Sequence, residues 1–284
     1  MKATFRFLLV ALTVAIAMGN YASANENATV DPSQSAVWPA IQKAVFGDRQ
    51  ITFDKNAEFV ELFSPASADD ASAVPIIVRA KHAQTAKRWT EKIWLIADKN
   101  PSPVGGIFQF YPTSGIANIE TRIRVEDFTH IRAIIEDNEG KLYMAARWIK
   151  ASGGCSSAHG NENGEDNLGK IKFKIDDMIE ANTPIKAQVM ISHPNTSGLA
   201  IDQLTQQHPQ PKYVKHVDVT YAGKPIMTAD VDFSISQNPV FRFYFTPTDK
   251  GELKAEILDT SDTKFTKIVR IEPGKPVMDV KDVN

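Results

Sequence analysis

Cysteine is all but absent from this chain: one residue, Cys155, among 284. A single cysteine excludes an intrachain disulfide, so core burial alone must hold the fold. An excess of positive charge is absent too. The 32 Lys and Arg face 34 Asp and Glu, a formal net charge of −2, which leaves no electrostatic footprint for nucleic acid or anionic lipid. Long apolar runs are missing. The best, Phe7 to Ala17, is too short for a bilayer, which takes about 20 apolar residues, so membrane insertion is not expected. Catalytic signatures are lacking as well: no Gly-x-Ser-x-Gly, no His-Glu-x-x-His and no phosphate loop. His82, His130, His193, His208 and His216 are scattered without ligand spacing. The expectation is a protein without metal, cofactor or turnover of its own.

What is present begins with an export signal. Lys2 and Arg6 precede the apolar run, and Ala22-Ser23-Ala24 offers a small-x-small cleavage site. This is the layout of a secretory signal peptide over residues 1–24. The mature chain then starts near Asn25, more acidic still because the signal carries Lys2 and Arg6 and no acid. A periplasmic protein is expected. In an exported chain an odd cysteine reads as a reactive thiol or an intermolecular bond.

Trp38, Ile41 and Val45 recur at helical spacing, with Pro39 in the first turn and Gly47 as the stop. Beyond this the pattern turns to strands. Phe59–Phe63, Val74–Val78 and Ile93–Ala97 are apolar segments bounded by turn residues, and Pro75 marks an edge or a strand start. Ile119, Thr121, Ile123 and Val125 alternate with charged residues. His130–Glu136 and Leu142–Ile149 flank Asp137-Asn138-Glu139-Gly140 as a hairpin. From Ser152 to Gly169 apolar periodicity stops. Alternation then resumes in Ile171/Phe173/Ile175, Ile185/Ala187/Val189/Ile191, Val217/Val219/Tyr221 and Phe241/Phe243/Phe245. Leu253/Ala255/Ile257 pairs with Phe265/Val269/Ile271 across Asp259–Asp262. Short strands at this spacing predict an all-β protein, two immunoglobulin-like sandwiches joined by a flexible polar linker. The expected boundaries are 25–158, a linker at 159–169, and 170–284.

Cys155 lies in Gly153-Gly154-Cys155-Ser156-Ser157, among residues with almost no side chain. A packing cysteine normally has large apolar neighbours, so this one is expected on a flexible arm formed by Gly153, Gly154, Ser156 and Ser157. A free thiol with pKa about 8.5 is a few per cent thiolate at neutral pH, enough for a carrier that partners load and unload. An incidental linker thiol, a metal ligand and an intermolecular disulfide are the other readings. His159 is the nearest candidate base or second ligand, and two ligands fall short of the four of a structural zinc site. Asp69-Asp70 and Asp176-Asp177 read as solvated turn acids, since strand neighbours point to opposite faces. Trp38, Trp89, Trp94 and Trp148 read as packing residues. The long segment from Pro194 to Tyr213 reads as an irregular loop of the kind that often contacts a partner.

A signal peptide, a β-domain ending in Gly-Gly-Cys, and a second β-domain with Ile191-Ser192-His193-Pro194-Asn195-Thr196-Ser197-Gly198 occur here in order. The first half resembles SoxY, the sulfur-carrier subunit of bacterial thiosulfate oxidation, and the second resembles its partner SoxZ. Tyr221-Ala222-Gly223-Lys224, Asn238-Pro239 before Phe241–Phe245, and Asp249–Leu253 add to the SoxZ likeness. The chain is similar to the fused SoxYZ-like carriers found beside quinoprotein alcohol dehydrogenases. The resemblance implies two tightly paired sandwiches and a sulfur intermediate held covalently on Cys155. It implies partners among periplasmic redox enzymes: Sox-type enzymes, a PQQ-dependent dehydrogenase and a c-type cytochrome. A non-catalytic docking module for that dehydrogenase or its cytochrome is the alternative. In SoxY the motif is Gly-Gly-Cys-Gly-Gly at a free C-terminus. Here Ser156-Ser157-Ala158 follow the cysteine and the arm is tethered at both ends.

Overall fold

The computed structural model describes residues 30–157, 167–175, 179–201 and 205–279. The expected signal peptide, His159 with most of the linker, and Asp176-Asp177 lie outside them. The first half contributes β1 (Ile51–Phe53), β2 (Val60–Phe63), β3 (Val74–Ala80), β4 (Thr90–Ala97), β5 (Val104–Phe110), β6 (Asn118–Ile123), β7 (Thr129–Asp137) and β8 (Leu142–Ile149). The second contributes β9 (Ile171–Ile175), β10 (Ile185–Ile191), β11 (Val214–Tyr221), β12 (Lys224–Val231), β13 (Val240–Phe245), β14 (Gly251–Asp259), β15 (Lys264–Ile271) and β16 (Met278–Asp279). Each alternating segment read from the sequence falls on one of these strands, with Val125 just beyond the end of β6. Pro75 is the second residue of β3, which sits between β2 and β6, so it marks a strand start and not an edge.

The all-β class and the immunoglobulin-like halves hold, and the halves are also joined through their sheets. The strands form two sheets that run through both halves. One has the order β1-β8-β7-β4-β5-β12-β11-β14-β15-β16, the other β2-β3-β6-β13-β10-β9. The crossing point of the larger sheet is the antiparallel pair β5–β12, from Phe110 opposite Met227 to Gly106 opposite Val231. In the smaller sheet Glu120 of β6 faces Arg242 of β13, and Ile123 bridges Ile235. Neither β5 nor β12 is anticipated from the sequence.

Burial follows the sheets. Inward residues of both halves form one continuous core, in which Phe108 and Phe241 from opposite halves meet edge to face at 6.0 Å. Each fully buried Val, Leu, Ile or Phe is worth about 1.5–3 kcal/mol, so apolar contact across the seam is a large part of what holds the halves together. The β11–β12 turn is built on Ala222 and Gly223, both at positive φ (48° and 74°), as a tight two-residue hairpin with matching twist requires.

The helix α1 (Trp38–Phe46) covers the outer face of the larger sheet, with Pro39 in its first turn and Gly47 at its end. Trp38 and Phe46 pack there on Trp94, Ile96, Ile134, Leu142 and Met144, which makes β4 apolar on both faces. Trp94 and Trp38 are packing residues, as expected. The chain leading into the helix is fastened by a buried ion pair. Arg132 Nε and Nη2 each donate to Asp98 at 2.7 Å, Nη2 also reaches the Pro32 carbonyl, and the guanidinium lies 4.1 Å from the Trp38 ring. Removing one partner of such a pair strands a buried charge, typically at about 3–5 kcal/mol.

Because the sheets are continuous, covalent continuity through residues 158–166 is not needed to hold the halves together. A protease site engineered there and cut should leave two fragments that co-elute and unfold in one transition. Separation of the fragments in native buffer would contradict the shared core.

Candidate functional site

The segment after β8 turns back along residues 125–126. The Gly153 N–H donates to the Glu126 carbonyl (2.8 Å) and the Gly154 N–H to the Val125 carbonyl (3.0 Å). The Glu126 carboxylate then receives the Cys155 N–H (2.8 Å), the Ser156 N–H (3.1 Å) and the Ser156 hydroxyl (2.6 Å). Ser157 Oγ closes the turn on the Gly153 carbonyl. From the other half, the Ser197 hydroxyl donates to the Cys155 carbonyl at 2.7 Å. Ser197 belongs to the long loop after Pro194, so that loop does contact the first half.

An accessible sulfur on a loose arm was expected from Gly153, Gly154, Ser156 and Ser157. The structure corrects this: the arm is docked and Cys155 has 0% exposure. The residues that make the segment pliable are also small enough to pack. A Cβ on Gly154 would lie 2.1 Å from the Ala71 carbonyl oxygen, so only glycine fits there. Gly153, at φ +80°, makes the turn with open space around it.

The docked sulfur sits at the seam. Asn100, buried, donates to the Arg124 carbonyl (2.8 Å) and to Ser234 Oγ (3.3 Å), and accepts the Glu126 N–H (2.9 Å). One side chain thus places Arg124, Glu126 and the second half together. Arg124 is wholly buried. Its Nη1 donates to the carbonyls of Phe233 and Ile235, and its own N–H to the Ser234 carbonyl. Burial, then Glu126, pushes the Cys155 thiol up to about 12, with Arg124 partly opposing. Burial likewise lowers Arg124 to about 10 and raises Asp232. The docked thiol is therefore protonated at neutral pH and a poor nucleophile.

Arg124, Glu126, Asn100, Asp232 and Ser197 are not legible from the sequence as members of this site. The alternation over Ile119–Val125 turns Arg124 towards solvent, and only the covering second half buries it. His193 is not brought to the sulfur. Its Nδ1 accepts the Asn195 N–H (3.0 Å), which puts the ring proton on Nε2, 3.5 Å from Asp259 Oδ2 with both side chains fully buried. Burial lowers its pKa first, with Asp259 opposing. It is a structural element of the Ser-His-Pro turn. Among the described residues no cluster of three or more His, Cys, Asp or Glu could hold a metal ion.

Residues 42–155 match the family described as sulfur oxidation protein SoxY, and residues 173–270 that described as sulphur oxidation protein SoxZ. The chain is a fusion of a SoxY and a SoxZ domain. SoxY and SoxZ are non-catalytic carrier and partner proteins, so this fusion has a sulfur-carrier role in sulfur oxidation and is not an enzyme. Among solved structures, the sulfur carrier protein SoxY from Chlorobium limicola f. thiosulfatophilum is 21% identical with a TM-score of 0.34, covering 40% of this chain and 91% of its own. A superoxide reductase (neelaredoxin) from Ignicoccus hospitalis is 16% identical with a TM-score of 0.32, covering 35% and 93%. Fibronectin(III)-like modules of Clostridium thermocellum CbhA are 12% identical with a TM-score of 0.22, covering 76% and 95%. No curated protein matches the SoxY–SoxZ fusion.

Reaction of Cys155 must await release of the arm, so thiol labelling reads the docking equilibrium. Glu126→Gln weakens charge-assisted hydrogen bonds worth about 1.5–3 kcal/mol, and labelling by a neutral disulfide should rise roughly 10- to 100-fold. Gly154→Ala should do the same through steric exclusion. Labelling of the wild type as fast as that of the unfolded chain would contradict docking.

The pH dependence follows from the same burial. With the docked thiol raised to about 12 against about 8.5 unfolded, its contribution to docking is complete below about 8.5 and is lost as pH climbs through 12. Cys155→Ser should remove this alkaline loss, measured as arm protection from proteolysis across pH 8–11.

Proposed function

We propose that the SoxY–SoxZ fusion is a periplasmic carrier that holds a sulfur-containing, thiol-linked intermediate on Cys155 and presents it to redox enzymes by releasing its docked arm. The observation that carries this is the coincidence of the end of the SoxY match, residue 155, with the sole cysteine of the chain. Sox carriers are generally periplasmic, and the Lys2/Arg6, Phe7–Ala17 and Ala22-Ser23-Ala24 pattern supports cleavage after residue 24. The working units are then 25–158, the linker 159–169, and 170–284. Docking protects the sulfur. A thiol held near pKa 12 resists adventitious oxidation in an oxidising compartment, and an undocked arm recovers an ordinary cysteine. Gly153, Gly154, Ser156 and Ser157 supply that mobility once Glu126 lets go.

Partners follow from the role. Sox-type enzymes are implied by the carrier family, and a PQQ-dependent dehydrogenase with its c-type cytochrome by the resemblance to fused carriers. A second reading, a docking module for such a dehydrogenase, is favoured by one observation: the thiol is fully buried and protonated. Intact-mass analysis of protein isolated from its own host separates the two. Carriage predicts a sulfur adduct on Cys155 that reductant removes, and a growth defect for Cys155→Ser. An unmodified thiol under all growth conditions, with partner binding unchanged in Cys155→Ser, would sink the carrier reading.

A further inference from the structure

Arg124 is the residue at this site whose bonding is incomplete. It is 0% exposed, and of its guanidinium nitrogens Nη1 alone makes hydrogen bonds, to the carbonyls of Phe233 and Ile235. Nε and Nη2 are buried and have no partner among the described residues. Buried guanidinium donors are normally satisfied, because each unmet one costs about 1–3 kcal/mol or more when charged. The arm runs antiparallel along residues 125–126, immediately after Arg124, and the Arg124 and Cys155 side chains interact electrostatically. The other charged groups that act on the sulfur are Glu126, engaged with three donors of the arm, and Asp232, held by the Ser234 N–H at 2.7 Å. Neither takes the free donors of Arg124.

We propose that Arg124 is a positioning residue that recognises the cargo, its unpaired N–H groups receiving the terminal anion of a sulfur-linked sulfonate carried on Cys155. This rests on the carrier reading above. The bare thiol offers Arg124 no charge. A Cys155–S–S–SO3⁻ adduct carries oxyanions that suit a planar donor fork of this kind. The anionic load then docks more firmly than a neutral one, and the charge of the cargo sets how readily the arm is released.

The test compares two adducts on the full chain. With tetrathionate, the Cys155 thiolate attacks a central sulfur, the central S–S bond breaks, thiosulfate leaves with the electron pair, and the thiol proton goes to solvent. The product is Cys155–S–S–SO3⁻. With methyl methanethiosulfonate the same attack expels methanesulfinate and leaves neutral Cys155–S–S–CH3. Each adduct is then reduced by a neutral thiol, with its rate divided by that of the same adduct on the urea-unfolded chain. The sulfonate adduct should be protected at least 10-fold more than the methyl adduct. Arg124→Lys should retain part of the difference and Arg124→Gln should erase it. Equal protection of the two adducts in the wild type, a comparison that needs no substitution, would overturn the proposal. So would a difference that survives in Arg124→Gln. Failure of Cys155 to accept either reagent, even at alkaline pH, overturns the carrier reading with it, whereas adducts formed without charge preference remove only the role of Arg124.

Discussion

The antiparallel pairing of Val104–Phe110 with Lys224–Val231 is the contact on which the Cys155 site depends. It joins the SoxY and SoxZ halves into one sheet, and the loops at one end of the pair carry Asn100 and Ser102 from one half and Asp232 and Ser234 from the other. Without this register Arg124 would face solvent, its guanidinium would find water in place of the Phe233 and Ile235 carbonyls, and the cysteine arm would lose one wall of its berth. Sequence separation across the pair exceeds 100 residues, so the site forms only after a long-range closure of the chain.

On that seam the arm is held by modest forces. A few charge-assisted hydrogen bonds to Glu126, one from Ser197, and the fit of Gly154 against Ala71 amount to several kcal/mol at most. A carrier needs such a balance. Tighter docking would hide the sulfur from its partners, and looser docking would leave it exposed to oxidation. A tethered loop suits this better than it suits deep threading, because the chain continues on both sides of the cysteine.

Much of the fold was legible in the amino-acid order. Strands with one buried face announce themselves by alternation, as Ile185/Ala187/Val189/Ile191 and Phe241/Phe243/Phe245 do, and Pro39 and Gly47 bracket the helix. The two strands that fuse the halves did not announce themselves. Gly105-Gly106 interrupts the apolar pattern of β5, and Pro225 with Thr228 and Asp230 dilutes that of β12. Their strand character comes from pairing with each other and with inner neighbours β4 and β11. The environment of Cys155 was misleading for a related reason: glycine and serine signal freedom in an isolated segment, yet they are also what a crowded berth requires.

The sequence by itself determined the all-β class, the order of the two domains, the carrier family resemblance and the place of the single sulfur at the end of the first domain. These rest on local periodicity and on residue identity, which do not depend on distant contacts. Only the tertiary structure decided that the halves share one core, that the thiol is buried and protonated, and that Arg124, Glu126 and Ser197 surround it. Burial and electrostatics are set by groups far apart in the chain, and local order carries no record of which of them will meet.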